Sequence, residues 1–333
     1  MFQLSMFDGA QPFKLNKPIR LIELFAGYGS QALSLKYLGV PFEHHRICEW
    51  AVKSIQAYKD LHFTDDNTDY SAELTEREIY EKLFAYGISA DYNKPMTLKE
   101  ITRLKEGRAR QVYNNIQATH NLVSVCNATA ELLGISDTDK YIYIMTYSFP
   151  CQDLSSAGKG MGMARDSGTR SGLLWEVERL LKECTELPQV LIMENVPQVV
   201  GKKNMPYFAD WLKFLDGLGY KSKWQILNAT DFGVPQNRER CFMVSVLGDY
   251  FYNFPSPIGC DLKLKDVLET NVPESYYLKK GTIIKLAEHK ARHEAKGNGF
   301  GWKPIDPDGG GGAFCRTIKT ETGSPPDSKF IIE

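Results

Sequence analysis

The stretch IRLIELFAGYGSQALSLKYLG, residues 19–39, contains the pattern that decides the fold. Residues 19–25 have the apolar character of a buried strand. AGYGS (26–30) has the two glycines of a tight turn, and residues 31–39 form an amphipathic helical pattern that ends at a glycine. The stretch therefore predicts a strand, a glycine turn and a helix in succession, which is the opening unit of an α/β sheet.

The same alternation continues along the chain. EHHRICE (43–49) predicts a second strand, the next ten residues predict a helix, and further helices are predicted at about 171–186 and 205–217. Further strands are predicted at residues 122–127, 141–148, 189–196, 221–229 and 240–247. Together these elements predict a doubly wound, mostly parallel sheet whose last two strands form an antiparallel hairpin at its edge.

Two regions depart from this rhythm. Residues 60–91 carry nine acidic and two basic side chains, whereas residues 94–110 carry six basic and two acidic ones. They predict a helical insertion at about 60–120, which is either a solvated surface hairpin or a surface whose basic half contacts a polyanion. After the last predicted strand, Pro, Gly and aromatic residues predict a loop-rich region, in which residues 279–303 have seven Lys or Arg against two Glu and could meet phosphates.

Composition excludes several classes of protein. Among 333 residues, 40 Lys and Arg balance 41 Asp and Glu, so a nucleic-acid partner would need a local basic patch. No segment has the apolar length that crosses a membrane, and the amino terminus lacks the pattern of a secretory signal, so a cytoplasmic location is expected. The seven cysteines are scattered without a CxxC pair, which argues against a disulfide framework and a metal site.

Reactive side chains collect where predicted strands end. Cys151 follows the apolar run 141–149 and a proline, Glu194 ends the strand at 189–196, and QNRER (236–240) precedes the last strand. Its alternation predicts that Arg238 and Arg240 share one face. Ligands collect at the carboxyl edge of an open α/β sheet, so these residues are expected to converge there. By itself, Cys151 is either a buried thiol or a reactive one.

A second group of residues predicts a pocket for adenosine. The glycine turn lets a ligand approach the backbone and the helix N–H groups. Glu49 ends the second strand, where a carboxylate can accept hydrogen bonds from ribose hydroxyls, and the Trp50 indole could cover an adenine ring. These features do not separate a dinucleotide from S-adenosylmethionine.

The order of the motifs points to one family. FAGYGS, Glu49 with Trp50, PCQ, ENV and QNRER follow one another over residues 19–247. This order resembles the motif set of DNA (cytosine-5)-methyltransferases. The resemblance implies a Rossmann-like sheet that transfers a methyl group from S-adenosylmethionine to carbon 5 of a flipped-out cytosine in a specific duplex DNA sequence. A covalent Cys151 adduct would form, and S-adenosylhomocysteine would be the product.

The resemblance also implies roles for individual residues. The catalytic residues would be Cys151, Glu194, Arg238 and Arg240. The cofactor-binding residues would be Phe25, Ala26, Gly27, Gly29, Ser30, Glu49, Trp50, Asn127 and Pro150. The substrate-binding residues would be Gln152, Ser155 and Gln236. Asn127 stands where the family usually has an aspartate, and Ser30 stands where it usually has a second glycine.

The resemblance divides the chain into a catalytic domain at residues 1–248 and a target-recognition region at 249–333. Two later motifs of the family, an RLQGFP-like segment and a GN-containing helix, are not found in that region. The alternatives are a truncated chain, a second polypeptide that supplies these motifs, and a shortened form that works without them. The expected partners are duplex DNA and such a polypeptide, with no membrane, in a bacterial or phage setting.

Other functions are separable from this one. A tRNA cytosine-5 methyltransferase shares PCQ and ENV, and a catalytically silent homologue would bind nucleic acid without reacting. A nicotinamide dehydrogenase would use the glycine turn but would leave PCQ, ENV and QNRER unexplained. In the methyltransferase interpretation, the small polar run at residues 153–160 is expected to close over the flipped base.

Overall fold

The computed structural model describes residues 11–154, 162–165, 167–297 and 314–316. The chain forms two compact units. The first unit consists of residues 1–225 and 241–253, and the second of residues 226–240 and 254–333. Within the described residues no helix has the length and apolar character needed to cross a membrane.

Each of the four strands between residues 19 and 195 is followed by one or more helices. In chain order the strands are β1 (Gln11–Pro12), β2 (Ile19–Leu24), β3 (Phe42–Cys48), β4 (Ile142–Tyr147), β5 (Val190–Asn195), β6 (Tyr220–Asn228), β7 (Gln236–Asn237), β8 (Glu239–Leu247), β9 (Tyr250–Phe251) and β10 (Cys315–Arg316). The helices are α1 (Ser30–Tyr37), α2 (Val52–His62), α3 (Glu76–Tyr86), α4 (Leu98–Ile101), α5 (Glu106–Ala118), α6 (Ala130–Leu133), α7 (Leu174–Glu183), α8 (Met205–Gly217) and α9 (Lys280–Glu294).

Six strands form one sheet in the order β3-β2-β4-β5-β8-β6. The pairs β2–β3, β2–β4 and β4–β5 are parallel, and β5–β8 is antiparallel. Strands β8 and β6 also run antiparallel, because Gly248 N–H donates to Gly219 O (3.0 Å) and Ser222 lies opposite Ser245 (2.7 Å between hydroxyls). The predicted mostly parallel α/β sheet with an antiparallel edge is confirmed.

The main core lies between the sheet and helices α7 and α8. Leu24, Tyr147 and Met193 from three neighbouring strands pack in one buried cluster with Leu180 and Trp211 from the two helices. The indole N–H of Trp211 donates to the Tyr147 hydroxyl (3.1 Å). Each of these two large buried side chains therefore has a hydrogen-bond partner for its polar atom. Burial of a Leu or Met side chain in this core stabilises the fold by about 1.5–3 kcal/mol.

The predicted insertion is helical and has a core of its own. Helices α3, α4 and α5 lie within residues 76–118, and Thr75 and Thr97 begin two of them with capping boxes that satisfy the first backbone N–H groups. Ile79, Leu83 and Val112 pack against Ile55 of α2. The insertion is therefore attached to the sheet through α2 rather than by its connecting segments alone.

One prediction of secondary structure is wrong. LVSVCN (122–127) is not a strand, because Val123 has a positive φ of 63° and residues 125–127 form a turn. Asn121, just before this segment, forms an isolated β-bridge with Ile47. The loop-rich region predicted after residue 248 also contains the 15-residue helix α9.

In its described residues, the second unit contains α9 and several short elements. Strands β7 and β10 pair in parallel, with Gln236 opposite Cys315. The backbone N–H groups of Ile258 and Gly259 both donate to Asp231 O (2.9 and 3.1 Å). The predicted division at residues 248 and 249 into a catalytic and a recognition part stays a prediction.

In the glycine turn after β2, side chains of α2 lie so close to Gly29 that no Cβ fits there. Gly29 has a φ of 79° and precedes α1, and a Cβ on it would lie 2.4 Å from His62 Nε2 and 2.6 Å from a Tyr58 ring carbon. His62 Nε2 in turn lies 2.9 Å from Tyr28 O, and the Tyr58 hydroxyl donates to the buried Glu23 (2.5 Å). Helix α2 thus packs directly on the backbone of the turn.

We expect Gly29→Ala to destabilise the fold more than Gly39→Ala does. Both glycines have a positive φ, so each substitution carries the same backbone strain of about 1–2 kcal/mol. A Cβ on Gly39 would meet no described atom within 4 Å, whereas one on Gly29 would clash with His62 and Tyr58. Urea unfolding of the two variants measures the difference, and equal losses of unfolding free energy would contradict the packing account.

Candidate active site

The carboxyl ends of four parallel strands meet at one edge of the sheet in the first unit. In register, Leu24 of β2 lies opposite Cys48 of β3 and Tyr147 of β4, and Tyr147 lies opposite Met193 of β5. The segments that follow these four positions therefore leave the sheet side by side. They carry the glycine turn, Glu49, the Cys151 segment and Glu194, which the sequence predicted to lie at this edge.

The glycine turn has the backbone expected of a ligand-binding turn. Phe25, Gly27 and Gly29 all have positive φ, at 60°, 58° and 79°. Ala26 N–H donates to Cys48 O (3.0 Å), which joins the turn to the end of β3. Ser30 is the first residue of α1, and its N-cap residue Gly29 has no side chain to cap the helix. The N–H of Ala32, the third residue of α1, donates to the buried Glu23 carboxylate (3.3 Å). The N–H groups of Ser30 and Gln31 precede it at the helix terminus and can serve a bound anion.

Glu49 connects this turn to the next helix. One carboxylate oxygen accepts from Gly27 N–H (2.9 Å) and the other from Ala51 N–H (2.7 Å). The side chain is only 6% exposed. Burial raises the pKa of Glu49 from its ordinary value of 4.5 to about 7, although the hydrogen bonds from these backbone groups oppose the rise.

Asn121 holds the backbone of Glu49 in place. Its side-chain oxygen accepts from Glu49 N–H (3.0 Å) and its amide donates to Glu49 O (2.8 Å), while the same oxygen accepts from Val123 N–H (2.8 Å). The chain turns here instead of continuing as a strand. Asn127 consequently lies exposed in the following turn, and Trp50 is half-buried beside the core of the insertion.

Three polar side chains hold the segment that carries Cys151. Asn195 donates from its amide to Phe149 O (2.9 Å), and the Ser171 hydroxyl donates to Pro150 O (2.7 Å). Asp153 accepts from Arg170 N–H (2.8 Å). Cys151 itself is half-buried, so its thiol is neither sealed in the core nor fully solvated.

Glu194 and Asn195 end β5 next to this segment. Glu194 is half-buried, whereas Asn195 is 2% exposed. Asn195 also accepts from Val196 N–H (2.8 Å), so one amide satisfies both its own turn and the Cys151 segment. The structure therefore brings Cys151 and Glu194 to neighbouring strand ends, as predicted.

The residues of QNRER belong to the second unit. Gln236 lies in β7 and Arg240 in β8, but Arg238 occupies the single residue between the two strands. Its backbone N–H donates to the Asn228 side chain (2.9 Å) instead of to a strand partner. The prediction that Arg238 and Arg240 share one face stays a prediction, although residues 236, 238 and 240 are half-buried and residues 237 and 239 are exposed.

Gln152 is exposed directly after Cys151. Ser155 and most of the run 153–160 lie outside the described residues. Sequence reasoning missed Asn121, Ser171 and Asn195, which fix the backbone around the site. Asn195 stands inside the ENV motif, so the motif itself was the signal that could have identified it.

The residues at this edge fit S-adenosylmethionine. The N–H groups of Ser30 and Gln31, which precede the Ala32 N–H that Glu23 binds, offer donors for a carboxylate. The positive-φ glycine turn leaves the backbone accessible, because a Cβ on Gly27 would meet no described atom within 4 Å. Glu49 is the buried acidic group beside them. In the described part of the chain, no group of three or more His, Cys, Asp or Glu side chains could hold a metal ion.

Known proteins with related sequences are methyltransferases. A model of the family "C-5 cytosine-specific DNA methylase" matches residues 84–306. The type II methyltransferase M2.ScrFI of Lactococcus lactis subsp. cremoris is 36% identical over 267 residues, which are 80% of this chain and 71% of that protein. The orphan methyltransferase M.SssI of Spiroplasma monobiae is 35% identical over 281 residues, 82% of this chain and 71% of that protein.

A solved structure resembles the fold. The S. pombe Dnmt2 methyltransferase matches with a TM-score of 0.55 and 16% sequence identity, over 89% of this chain and 70% of that chain. At this identity the likeness concerns the fold alone, and it agrees with the α/β sheet described above.

We expect the stability contributed by Glu49 to fall with rising pH. Its folded pKa of about 7 lies above the ordinary 4.5, so its contribution is fully present below pH 4.5 and is lost as pH rises through 7. Glu49→Gln cannot ionise. Relative to wild type, its unfolding free energy should improve by about 2 kcal/mol between pH 5 and pH 8.

Urea unfolding at a series of pH values measures this difference. Glu73→Gln makes the same change at an exposed glutamate and is the control. A wild-type curve parallel to that of Glu49→Gln from pH 5 to pH 8 would contradict the expected proton uptake.

We also expect Asn195→Asp to destabilise the fold by about 1–3 kcal/mol. Aspartate keeps the oxygen that accepts from Val196 N–H but loses the amide that donates to Phe149 O, which leaves that carbonyl without its donor. Thermal unfolding compares the variant with Asn67→Asp, the same change at an exposed site. Equal melting temperatures for the two variants would show that the Asn195 amide contributes nothing.

Proposed function

Because this chain belongs to the C-5 cytosine-specific DNA methylase family, we propose that Cys151 is the nucleophile with which it methylates cytosine. The reaction is methyl transfer to carbon 5 of cytosine in DNA, and the methyl donor is S-adenosylmethionine. The observation that carries the assignment of Cys151 is its position. It lies on a segment held by Asn195, Ser171 and Asp153 at the carboxyl edge, beside the strand end that carries Glu194.

Cys151 solves the chemical problem that carbon 5 is a poor nucleophile. In the proposed mechanism its thiolate adds to carbon 6 of the ring, which forms a sulfur–carbon bond and makes carbon 5 enamine-like. The pair of electrons displaced from the 5,6 double bond is then available at carbon 5. A proton must later leave carbon 5 so that the double bond re-forms and the sulfur–carbon bond breaks, which returns the thiolate.

Glu194 would serve the same step from the other side of the ring. As a carboxylic acid it can donate a proton or a hydrogen bond to ring nitrogen N3, which withdraws electrons from carbon 6 while the sulfur adds. As a carboxylate it can accept from the exocyclic amino group. Its half-buried place at the end of β5 supports this role.

The remaining predicted substrate residues stay proposals. Arg238 would stabilise the pyrimidine oxygen O2, with Arg240 supporting the same charge, and Gln152 and Gln236 would contact the DNA around the target. A stacked cytosine cannot reach a thiol in a sheet crevice, so the target base must leave the helix.

The chain would hold the cofactor through the glycine turn and Glu49. When bound, S-adenosylmethionine supplies an electrophilic methyl group on its sulfonium. Phe25 to Ser30 would line its methionine and adenosine end, Glu49 would accept from its ribose hydroxyls, and Trp50 would cover the adenine. Pro150 and Asn127 are the other proposed contacts, although the exposed turn around Asn127 gives that residue the least support.

A second polypeptide remains a proposal as well. Apolar side chains on the second unit that are largely exposed, Ile258 (80%), Tyr276 (77%) and Ile284 (58%), form surface that such a partner would cover. Methylation by the purified chain alone would remove the need for it.

We expect Cys151→Ser to abolish methylation while S-adenosylhomocysteine still binds, because the hydroxyl cannot replace the thiolate as nucleophile. The chain, the variant and the control Cys126→Ser, at an exposed cysteine, are incubated with S-adenosylmethionine and a mixed-sequence DNA duplex. Bisulfite sequencing then gives the methylated cytosines, and calorimetry gives the binding of S-adenosylhomocysteine. A parallel transfer RNA substrate tests the alternative.

Methylation of one short DNA sequence by the chain and by Cys126→Ser, but not by Cys151→Ser, would support the assignment. Methylation by Cys151→Ser would refute it. Methylation of transfer RNA and not of DNA would favour the other substrate.

A further inference from the structure

The helical insertion contains a turn, residues 89–94, that is joined to the adenosine side of the site. Ser89 N–H donates to Trp50 O (2.7 Å), and Val52 N–H donates to Ser89 O (2.9 Å). The turn is therefore attached by two backbone hydrogen bonds to the residues that directly follow Glu49.

The 89–94 turn is also held from within. The Ser89 hydroxyl donates to Lys94 O (2.7 Å) and accepts from Tyr92 N–H (3.1 Å), and Asp91 accepts from Asn93 N–H (3.0 Å). Tyr92 adopts a positive φ of 64°, which costs a residue with a Cβ about 1–2 kcal/mol. The Tyr92 hydroxyl lies 2.5 Å from that of Ser54 on α2, a contact that offsets the strain.

The other side of the turn contacts the Cys151 region. Arg170 donates from Nη1 to Asn93 Oδ1 (3.0 Å), and its backbone N–H donates to Asp153 Oδ2 (2.8 Å). Asp153 is 6% exposed, so this second bond is shielded from water. A continuous series of hydrogen bonds thus runs from Trp50 through the 89–94 turn and Arg170 to the residue two positions after Cys151.

We propose that Asn93 is a positioning residue that sets the conformation of the Cys151 segment through Arg170 and Asp153. The inference rests on the proposed role of Cys151, and it gives the insertion a part in the reaction that neither its charge nor its helices indicated. Asn93 is exposed and acts on Cys151 only through Arg170. The Ser89 bonds to Trp50 and Val52 do not involve the Asn93 side chain, so binding on the adenosine side is independent of it.

The test compares Asn93→Ala with Asn93→Asp and Asn67→Ala. Alanine removes the oxygen that Arg170 contacts, whereas aspartate retains an acceptor there. Asn67 is an exposed asparagine of the same insertion and is the matched control. Asn93→Ala should lower kcat about three- to tenfold, as expected for the loss of one hydrogen bond, with S-adenosylhomocysteine affinity and melting temperature unchanged.

A second readout does not depend on turnover. In the free protein, iodoacetamide labelling of Cys151 is measured by peptide mass spectrometry relative to Cys126, an exposed cysteine outside the segment. We expect Asn93→Ala to raise the ratio of Cys151 to Cys126 labelling at least about twofold, because the segment has lost one of its attachments. Asn93→Asp should restore both kcat and the labelling ratio.

Each outcome decides the proposal. It is overturned if Asn93→Ala has a kcat within twofold of wild type and an unchanged labelling ratio, or if Asn93→Asp is as impaired as the alanine variant. A fall in melting temperature together with loss of S-adenosylhomocysteine binding would also overturn it, because Asn93 would then be merely structural. Methylation by Cys151→Ser would instead refute the proposed nucleophile, on which this inference depends.

Discussion

Parallel pairing with a common register is the constraint on which the site depends. Leu24 lies opposite both Cys48 and Tyr147, so β2, β3 and β4 end at the same level, and β5 ends two residues beyond Met193. Reactive segments from distant parts of the sequence are thereby brought to one edge, where side-chain hydrogen bonds join them. A slip of one residue in a single strand would turn its buried side chains to the opposite face, and the core would not tolerate that change.

At that edge, polar side chains control the backbone. Glu49 binds the N–H groups of two segments, Asn121 binds both backbone groups of Glu49, and Asn195 binds the carbonyl just before Pro150. These side chains are buried, and their hydrogen bonds are strong because little water competes with them. For Glu49 the same burial raises the pKa to about 7, so a group that orders the site also makes it sensitive to pH near neutrality.

The insertion shows how a peripheral element can affect a reaction. Its helices have their own apolar core, which includes Ile79 and Leu83, and they rest on α2. The 89–94 turn reaches from that core to both sides of the site. The insertion has strongly polarised charge, but hydrogen bonds, some neutral and some charge-assisted, connect it to the Cys151 segment.

The sequence by itself determined the α/β order of elements, the helix bounds at 205–217 and the placement of Cys151 and Glu194 at strand ends, because periodicity and glycine turns are local properties. It also indicated the family, because PCQ, ENV and QNRER occur in order. Only the tertiary structure decided that residues 122–127 turn away from the sheet and that β7 and β8 are separate strands on either side of Arg238. The turn depends on the contact of Asn121 with Glu49, 72 residues away, and the two strands have distant partners, Cys315 for β7 and Asn195 for β8. No local pattern encodes such contacts.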